Sequence, residues 1–405
     1  MTDHSQDRQN APGSLPGRGF AIARMSDCAK LCETSGLDLR RVRVLPLEQR
    51  QSLSRLDEIL VEPSNDPPPV SDANARLVRE CAARIREARQ RGASVMLIYG
   101  AHLIKNGGQL LLVRLLDHGH LTHLATNGAG TIHDWEFSFL GRSTESVRAN
   151  VATGTFGTWD ETGRCIHLAL LLGGLRGEGY GRALGRFIYQ DGGQVPTAGE
   201  LEAQVRADPH HPLTPARIEL LHAIRQFGIA SGPLMVLHRW RNVSVLANAF
   251  RHEIPLTVHP GIGYDIIATH PMFNGAAIGR AGGIDFARFA TAVEGLDGGV
   301  VMSIGSAIMG PQVFEKTLSC VNNLRIQAGR PIVQGHTLYV VDLQDGGRWD
   351  WTRGEPPRDN PAYYLRFCKS YARMGGTMHY VQCDNVAFLH HLHHALADKP
   401  KTKTP

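Results

Sequence analysis

Short uninterrupted apolar runs alternate along this chain with longer stretches whose apolar residues recur at helical spacing. The run Ser94-Val95-Met96-Leu97-Ile98-Tyr99 has no charged member, as expected of a strand covered on both faces. Just before it, Leu77, Val78, Cys81 and Ile85 fall near one side of a helix predicted over 74–91. Further strands are predicted at 121–126, 254–259, 300–304, 337–342 and 377–382. Helices are predicted near 106–118, 284–295, 311–324, 361–374 and 384–397. Buried strands joined by helices predict an α/β fold with one mainly parallel, doubly wound, Rossmann-like sheet. The middle, 155–230, breaks the alternation and reads as mostly helical.

Punctuation divides the chain. Residues 1–18 are polar and rich in Pro and Gly, a tail. A helical extension and Pro-rich linker are expected over 19–70, ending in Glu62-Pro63-Ser64-Asn65-Asp66-Pro67-Pro68-Pro69. The main domain then runs over 71–397, and 398–405 is a second tail.

Composition narrows the classes. The 405 residues carry 43 Lys+Arg against 38 Asp+Glu, a net charge of +5 that is too dilute for a nucleic-acid face. At 42% hydrophobic with no long uncharged apolar run, the chain is globular and not membrane-spanning. Seven scattered cysteines and a polar start predict reduced thiols and a cytoplasmic location. Glycine is the outlier: 44 of 405, about 11% against a usual ~7%.

In a doubly wound sheet, ligands bind beyond the carboxyl ends of the strands, so the glycines there matter most. The first strand ends in Gly100-Ala101-His102-Leu103-Ile104-Lys105-Asn106-Gly107-Gly108 and the second in Thr126-Asn127-Gly128-Ala129-Gly130-Thr131-Ile132-His133-Asp134. Later ends read His259-Pro260-Gly261-Ile262-Gly263-Tyr264-Asp265, Gly305-Ser306-Ala307-Ile308-Met309-Gly310 and Cys383-Asp384-Asn385. Glycine lets a helix N-terminus approach a phosphate, and a carboxylate such as Asp384 suits a ribose hydroxyl. His133, beside Asp134 at a predicted helix start, is the candidate acid or base. The run Gly177-Glu178-Gly179-Tyr180-Gly181-Arg182-Ala183-Leu184-Gly185 departs from G-x-G-x-x-G and follows no strand, so a close helix contact is expected there.

Taken together, these strand ends resemble the deoxyhypusine synthase family. Ala101-His102-Leu103-Ile104-Lys105-Asn106-Gly107 stands where the family reads roughly S-N-L-I-S-S-G, and Thr126 to Asp134 where it reads T-T-A-G-G-x-E-E-D. Pro260 to Asp265 echoes D-G-S-x-G-D, and Val381 to Val386 resembles the closing strand and A-D-A-S turn. The resemblance spans 94–397. It implies a Rossmann-like sheet, NAD as cofactor, and a homo-oligomer, a tetramer by that likeness. It also implies cofactor contacts at Thr126, Asn127, Gly128, Ala129, Gly130, Asp265, Gly305, Ser306 and Asp384.

The departures point away from the family's reaction. Arg366 stands where a lysine would form a Schiff base, and arginine keeps its proton. Ile132-His133 replaces the acidic pair that would meet a polyamine. The expectation is an NAD-dependent enzyme that abstracts hydride from a small amino or hydroxy compound, with His133, His102 and Arg366 as catalytic candidates. A polyamine aminobutyl transferase of homospermidine-synthase type and a non-catalytic nucleotide-binding oligomer are the alternatives. The histidines 118, 120 and 123, those at 390–394, and Cys28 with Cys32 lack the ligand set of a metal site, and none is expected.

Overall fold

The structure, a computed structural model, describes residues 37–397. Six strands form the central sheet: β1 (Val95–Tyr99), β2 (His123–Asn127), β3 (Leu256–His259), β4 (Val300–Ile304), β5 (Thr337–Asp342) and β6 (Thr377–Gln382). All neighbours run parallel, in the order β3-β2-β1-β4-β5-β6. The chain winds outward from β1 to β3, then returns to start β4 on the other side of β1. The switch in strand order therefore falls between β1 and β4, the position beside which ligands bind in sheets of this kind.

Alternation inside β1 shows why the sheet is covered twice. Val95, Leu97 and Tyr99 pack with Val78, Cys81 and Ile85 of helix Asp72–Gln90 and Phe388 of helix Asn385–Ala397. Met96 and Ile98 point the other way, toward Phe289 of helix Gly275–Glu294 and Phe314 of helix Met309–Gln327. Successive side chains alternate faces, so an all-apolar strand needs helices on both sides.

The switch point is tight. A Cβ at Gly100 would lie 2.0 Å from the Gly305 carbonyl oxygen, and one at Gly305 would lie 2.4 Å from Asn385 Nδ2. Gly305 also has φ +60°, in the left-handed region that favours glycine. The 177–185 run does make a close helix contact: a Cβ at Gly181 would lie 1.8 Å from the Leu256 carbonyl oxygen at the start of β3.

Three sequence expectations change. Between 40 and 60 the described backbone is not a long helix but a 3-10 turn, Leu47–Gln49, and one helical turn, Leu56–Ile59. Ser54 and Arg55 instead give their backbone groups to an antiparallel pairing with Ser143 and Arg142, which a helix could not spare. Helix Gly275–Glu294 begins well before 284 because Asn274 caps it, accepting from Ala277 N–H, and its four glycines had hidden the first turns. The helix expected over 361–374 breaks at Leu365 into a 3-10 turn, Pro361–Tyr364, and a helix, Arg366–Ala372. The segments 1–18 and 398–405, with Cys28 and Cys32, lie outside the described residues. Among the described residues, no helix is long and apolar enough to cross a membrane.

Candidate functional site

Beyond the carboxyl ends of β2 and β3 lies a cavity of about 290 Å³, lined in part by Arg50, Lys105, Ala129, His133, Glu136 and Asp265. Helix Gly128–Leu140 supplies Ala129, His133 and Glu136, the last two one turn apart and so on one face. The helix starts where it does because Asn127 caps it, its side chain accepting from Gly130 N–H at 2.9 Å. Arg50 comes from the N-terminal segment and enters from outside the sheet.

A relay of hydrogen bonds runs behind the cavity wall. Glu136 Oε1 accepts from Arg50 Nη1 at 2.7 Å and from Thr162 Oγ1 at 2.9 Å. Glu136 Oε2 accepts from Ser143 Oγ at 2.5 Å, and Ser143 Oγ lies 2.8 Å from His133 Nδ1. Since Ser143 donates its only proton to the carboxylate, its oxygen accepts from His133 Nδ1–H. That fixes the tautomer and leaves the lone pair on Nε2. Burial works against the Glu136 charge, but Arg50, His133 and Ser143 outweigh it and hold the carboxyl below its ordinary range. Burial pushes the His133 imidazole down to about 4; Glu136 opposes this, while Lys105, Arg50 and His102 add to it. His133 is thus a neutral imidazole at ordinary pH.

The remaining carboxylates of the cavity are spoken for. Glu145 Oε1 accepts from Gly157 N–H at 3.1 Å and Trp159 Nε1 at 3.0 Å, and its other oxygen accepts from Asn150 Nδ2. Asp265 accepts from Gly261 N–H at 2.8 Å, and its carboxylate covers the start of helix Gly128–Leu140, where a Cβ at Gly128 would lie 2.0 Å from it. Burial raises Asp265 to about 6 against that one hydrogen bond.

A second cavity, about 560 Å³, opens beyond β4 and is lined in part by Ile308, Glu315, Lys316, Arg366, Lys369 and Arg373. Four cations face one carboxylate: Glu315 lies 3.1 Å from Arg373 and 3.5 Å from Lys316. Lys369 sits over the Tyr363 ring at 3.6 Å. The two cavities share no lining residue.

The sequence-predicted residues therefore divide. Ala129, His133 and Asp265 line the first cavity, and Arg366 lines the second. Exposed His102 stands between them at the first strand end: partial burial and Lys105 lower its imidazole against Asp342, which ends β5. Thr126 donates to the Tyr99 carbonyl, and Asn127, Gly128 and Gly130 shape the helix start. Ser306 accepts from Gly310 N–H, and exposed Asp384 caps the last helix, accepting from Val386 and Ala387 N–H. Sequence reasoning did not select Arg50, Glu136, Ser143 or Thr162. The signal was a glutamate one turn from His133 on a helix whose neighbours, Trp135, Phe137 and Phe139, are all aromatic. Among the described residues, no group of His, Cys, Asp or Glu could hold a metal ion.

No protein-family model matches the chain, and no curated protein matches it. Among solved structures, it is similar to unliganded AgrE, at 16% identity and TM-score 0.40 over 81% of this chain and 34% of that one. AgrE is also solved as a ternary complex with ornithine and NAD+. ArgZ, an arginine dihydrolase from the ornithine-ammonia cycle in cyanobacteria, is similar at 16% and 0.40, over 82% and 33%. A conserved putative LOR/SDH protein from Methanococcus maripaludis S2 is similar at 12% and 0.37, over 88% and 76%. The chain spans about a third of the length of AgrE and of ArgZ. Likenesses of this size assign it no chemistry.

Proposed function

We propose that this chain is an NAD-dependent oxidoreductase that acts on a small amino or hydroxy compound. The observation that carries the reading is His133: an imidazole with its tautomer fixed through Ser143 onto the Glu136–Arg50 pair, lining a cavity at the carboxyl edge of a sheet ordered 3-2-1-4-5-6. A base with a free lone pair suits removal of the proton from a substrate N–H or O–H. Bound NAD would supply the acceptor for the hydride leaving the adjacent carbon.

The residues present fit a dinucleotide in two respects. The basic cavity beyond β4, with Arg366, Lys369 and Arg373, offers positive charge to a diphosphate next to the switch point. Asp384, exposed at the end of β6, offers a carboxylate to a ribose hydroxyl. In this reading Arg366 belongs with the cofactor and His133 with the substrate. The resemblance to the deoxyhypusine synthases enters for the fold and for NAD, and the polyamine chemistry does not follow.

The test is to incubate the purified chain with NAD and with pools of amino and hydroxy acids, following reduced cofactor. Turnover is expected, and His133→Ala should lower it by roughly 10²–10⁴-fold, the usual worth of a general base. Tight NAD binding with no reduction by any pool would sink the reading.

A further inference from the structure

The smaller cavity has apolar lining that the chemistry at His133 does not use. Val147, Phe156, Tyr264 and Ile266 line it together with His133 and Glu136. Glycines make room for two of these four. A Cβ at Gly261 would lie 1.7 Å from the Tyr264 ring, so the ring takes the place of a side chain at 261. A Cβ at Gly157 would lie 2.7 Å from Ile266 Cβ, and Gly157 has φ +71°, in the region that favours glycine. Tyr264 is nevertheless 72% exposed and Val147 57% exposed. Apolar side chains left singly in water are ordinary, but gathered on one concave wall they mark a place that a ligand covers. The polar lining favours neither sign of charge. Glu136 and Glu145 are spent on protein donors. What stays unspent is an acceptor at His133 Nε2, the second oxygen of Asp265 and the half-buried Lys105 ammonium. A polyamine or a polyphosphate would meet groups of both signs, whereas a small head that both donates and accepts suits them.

We infer that Val147, Phe156, Tyr264 and Ile266 receive an apolar side chain of the substrate, so that the compound turned over carries an aliphatic or aromatic substituent beside its amino or hydroxyl group. The inference rests on the oxidoreductase reading for the word substrate, but the apolar pocket itself does not need it. Tyr264 is the specificity-determining residue, since its ring is the most exposed of the four and is seated against Gly261. A ring already held in place loses little freedom when a ligand packs on it. An ammonium at the end of the same side chain would give up its hydration against apolar surface, and is selected against. A cavity near 290 Å³ lies at the small end of ligand sites and suits a side chain of a few carbons.

Binding without NAD separates this inference from the redox reading. Alanine, norleucine and lysine, with lactate and 2-hydroxyhexanoate as the hydroxy pair, are titrated against the full chain and followed by ligand-observed NMR. In at least one pair the longer member, norleucine or 2-hydroxyhexanoate, should bind at least about tenfold more tightly than alanine or lactate, the worth of methylenes in an apolar pocket. Lysine, which has the norleucine stem ending in an ammonium, should bind at least about tenfold more weakly than the longer member that binds. Tyr264→Ala removes an exposed ring, so the fold should stand, and it should erase most of the long-to-short ratio. Tyr264→Phe should keep that ratio. Gly261→Ala, which takes the space of the ring, should lower it as Tyr264→Ala does. The ratio is the readout because a merely structural loss would weaken long and short ligands alike. Equal binding of long and short members in both pairs, lysine binding as tightly as the long member, a Tyr264→Ala chain that keeps the ratio, or no binding by any of the five would each overturn the pocket. A ratio that depends on Tyr264 in a chain that never reduces NAD would uphold the pocket and remove only the oxidoreductase reading.

Discussion

The two cavities at the carboxyl edge use their cations in opposite ways. Beyond β2 and β3, the side chains of Arg50 and Glu136 are each only 1% exposed and locked together at 2.7 Å, with Thr162 and Ser143 completing the carboxylate. Beyond β4, Lys316 and Arg373 share the single Glu315, and their side chains are 59% and 42% exposed. A buried pair holds one geometry because breaking it strands a charge away from water. An exposed cluster is screened and its side chains are free to move, so it attracts an anion weakly without fixing where it sits. The first arrangement suits orienting a reacting group, and the second suits gathering a phosphate-bearing ligand.

The sharpest way to break that contrast is to remove one member of each cluster and compare stability. Glu136→Ala leaves Arg50 buried and unpaired, and should cost about 3–5 kcal/mol. Arg366→Ala, at an exposed position, should stay within about 0.5 kcal/mol. Urea unfolding of both variants is the measurement. Similar losses in the two would mean that the distinction between a locked and a screened cluster is false.

Much of the fold was legible because its signal is local. All six strands of the sheet fall where they were expected, most plainly β1 and β4, which are buried on both faces and carry almost no polar residue. The candidate site was legible only in part. Glycines and polar residues at strand ends mark the carboxyl edge, and they led to Ala129, His133 and Asp265. Arg50 lies 86 residues from Glu136, and no spacing rule joins two such positions until the chain is folded. Ser143 was equally hidden, since it is brought to His133 by the short pairing of Ser54–Arg55 with Arg142–Ser143. Sequence reasoning grouped Arg366 with His133 through the family resemblance, which sets Arg366 at the lysine position and His133 in the loop after the second strand. Strand order then separates them, with β2 and β4 on opposite sides of β1.

Acid sharpens the comparison at an intermediate scale. Burial lowers His133, His167, His238, His259, His336 and His393 to about 4 and His123 to about 3. A histidine with a depressed folded pKa contributes stability that is fully present above its unfolded value near 6.5. Between pH 6.5 and 4 the unfolded chain takes up protons that the fold refuses, so that stability drains away. Asp134 and Asp265, raised to about 6, and Asp285, raised to about 7, act in the opposite sense, favouring the fold as pH falls from 7 toward 4. Seven groups against three leave a net loss toward acid. Thermal unfolding followed from pH 7.5 to 4.5 should show Tm falling. His133→Gln should make the fall shallower, and Arg366→Gln should leave its slope as it was. A Tm that holds or rises toward pH 4.5 would contradict the burial of these imidazoles.

The smallest expected effect concerns glycine away from both cavities. At Gly128 and Gly100 a methyl group has no room, being 2.0 Å from a carboxylate and from a carbonyl oxygen. Gly283 lies inside helix Gly275–Glu294, and a Cβ there would meet nothing within 4 Å. Its cost is entropic, because an unsubstituted residue has more freedom to lose on folding. Gly283→Ala should therefore stabilise the chain by about 0.5–1 kcal/mol in urea unfolding. The same substitution at Gly128 should destabilise it by displacing Asp265 from the helix start, and should disturb the cavity that Asp265 lines. Equal effects at the two positions would mean that glycine at the strand ends answers to no close approach, and that its excess in this chain says nothing about where a ligand sits.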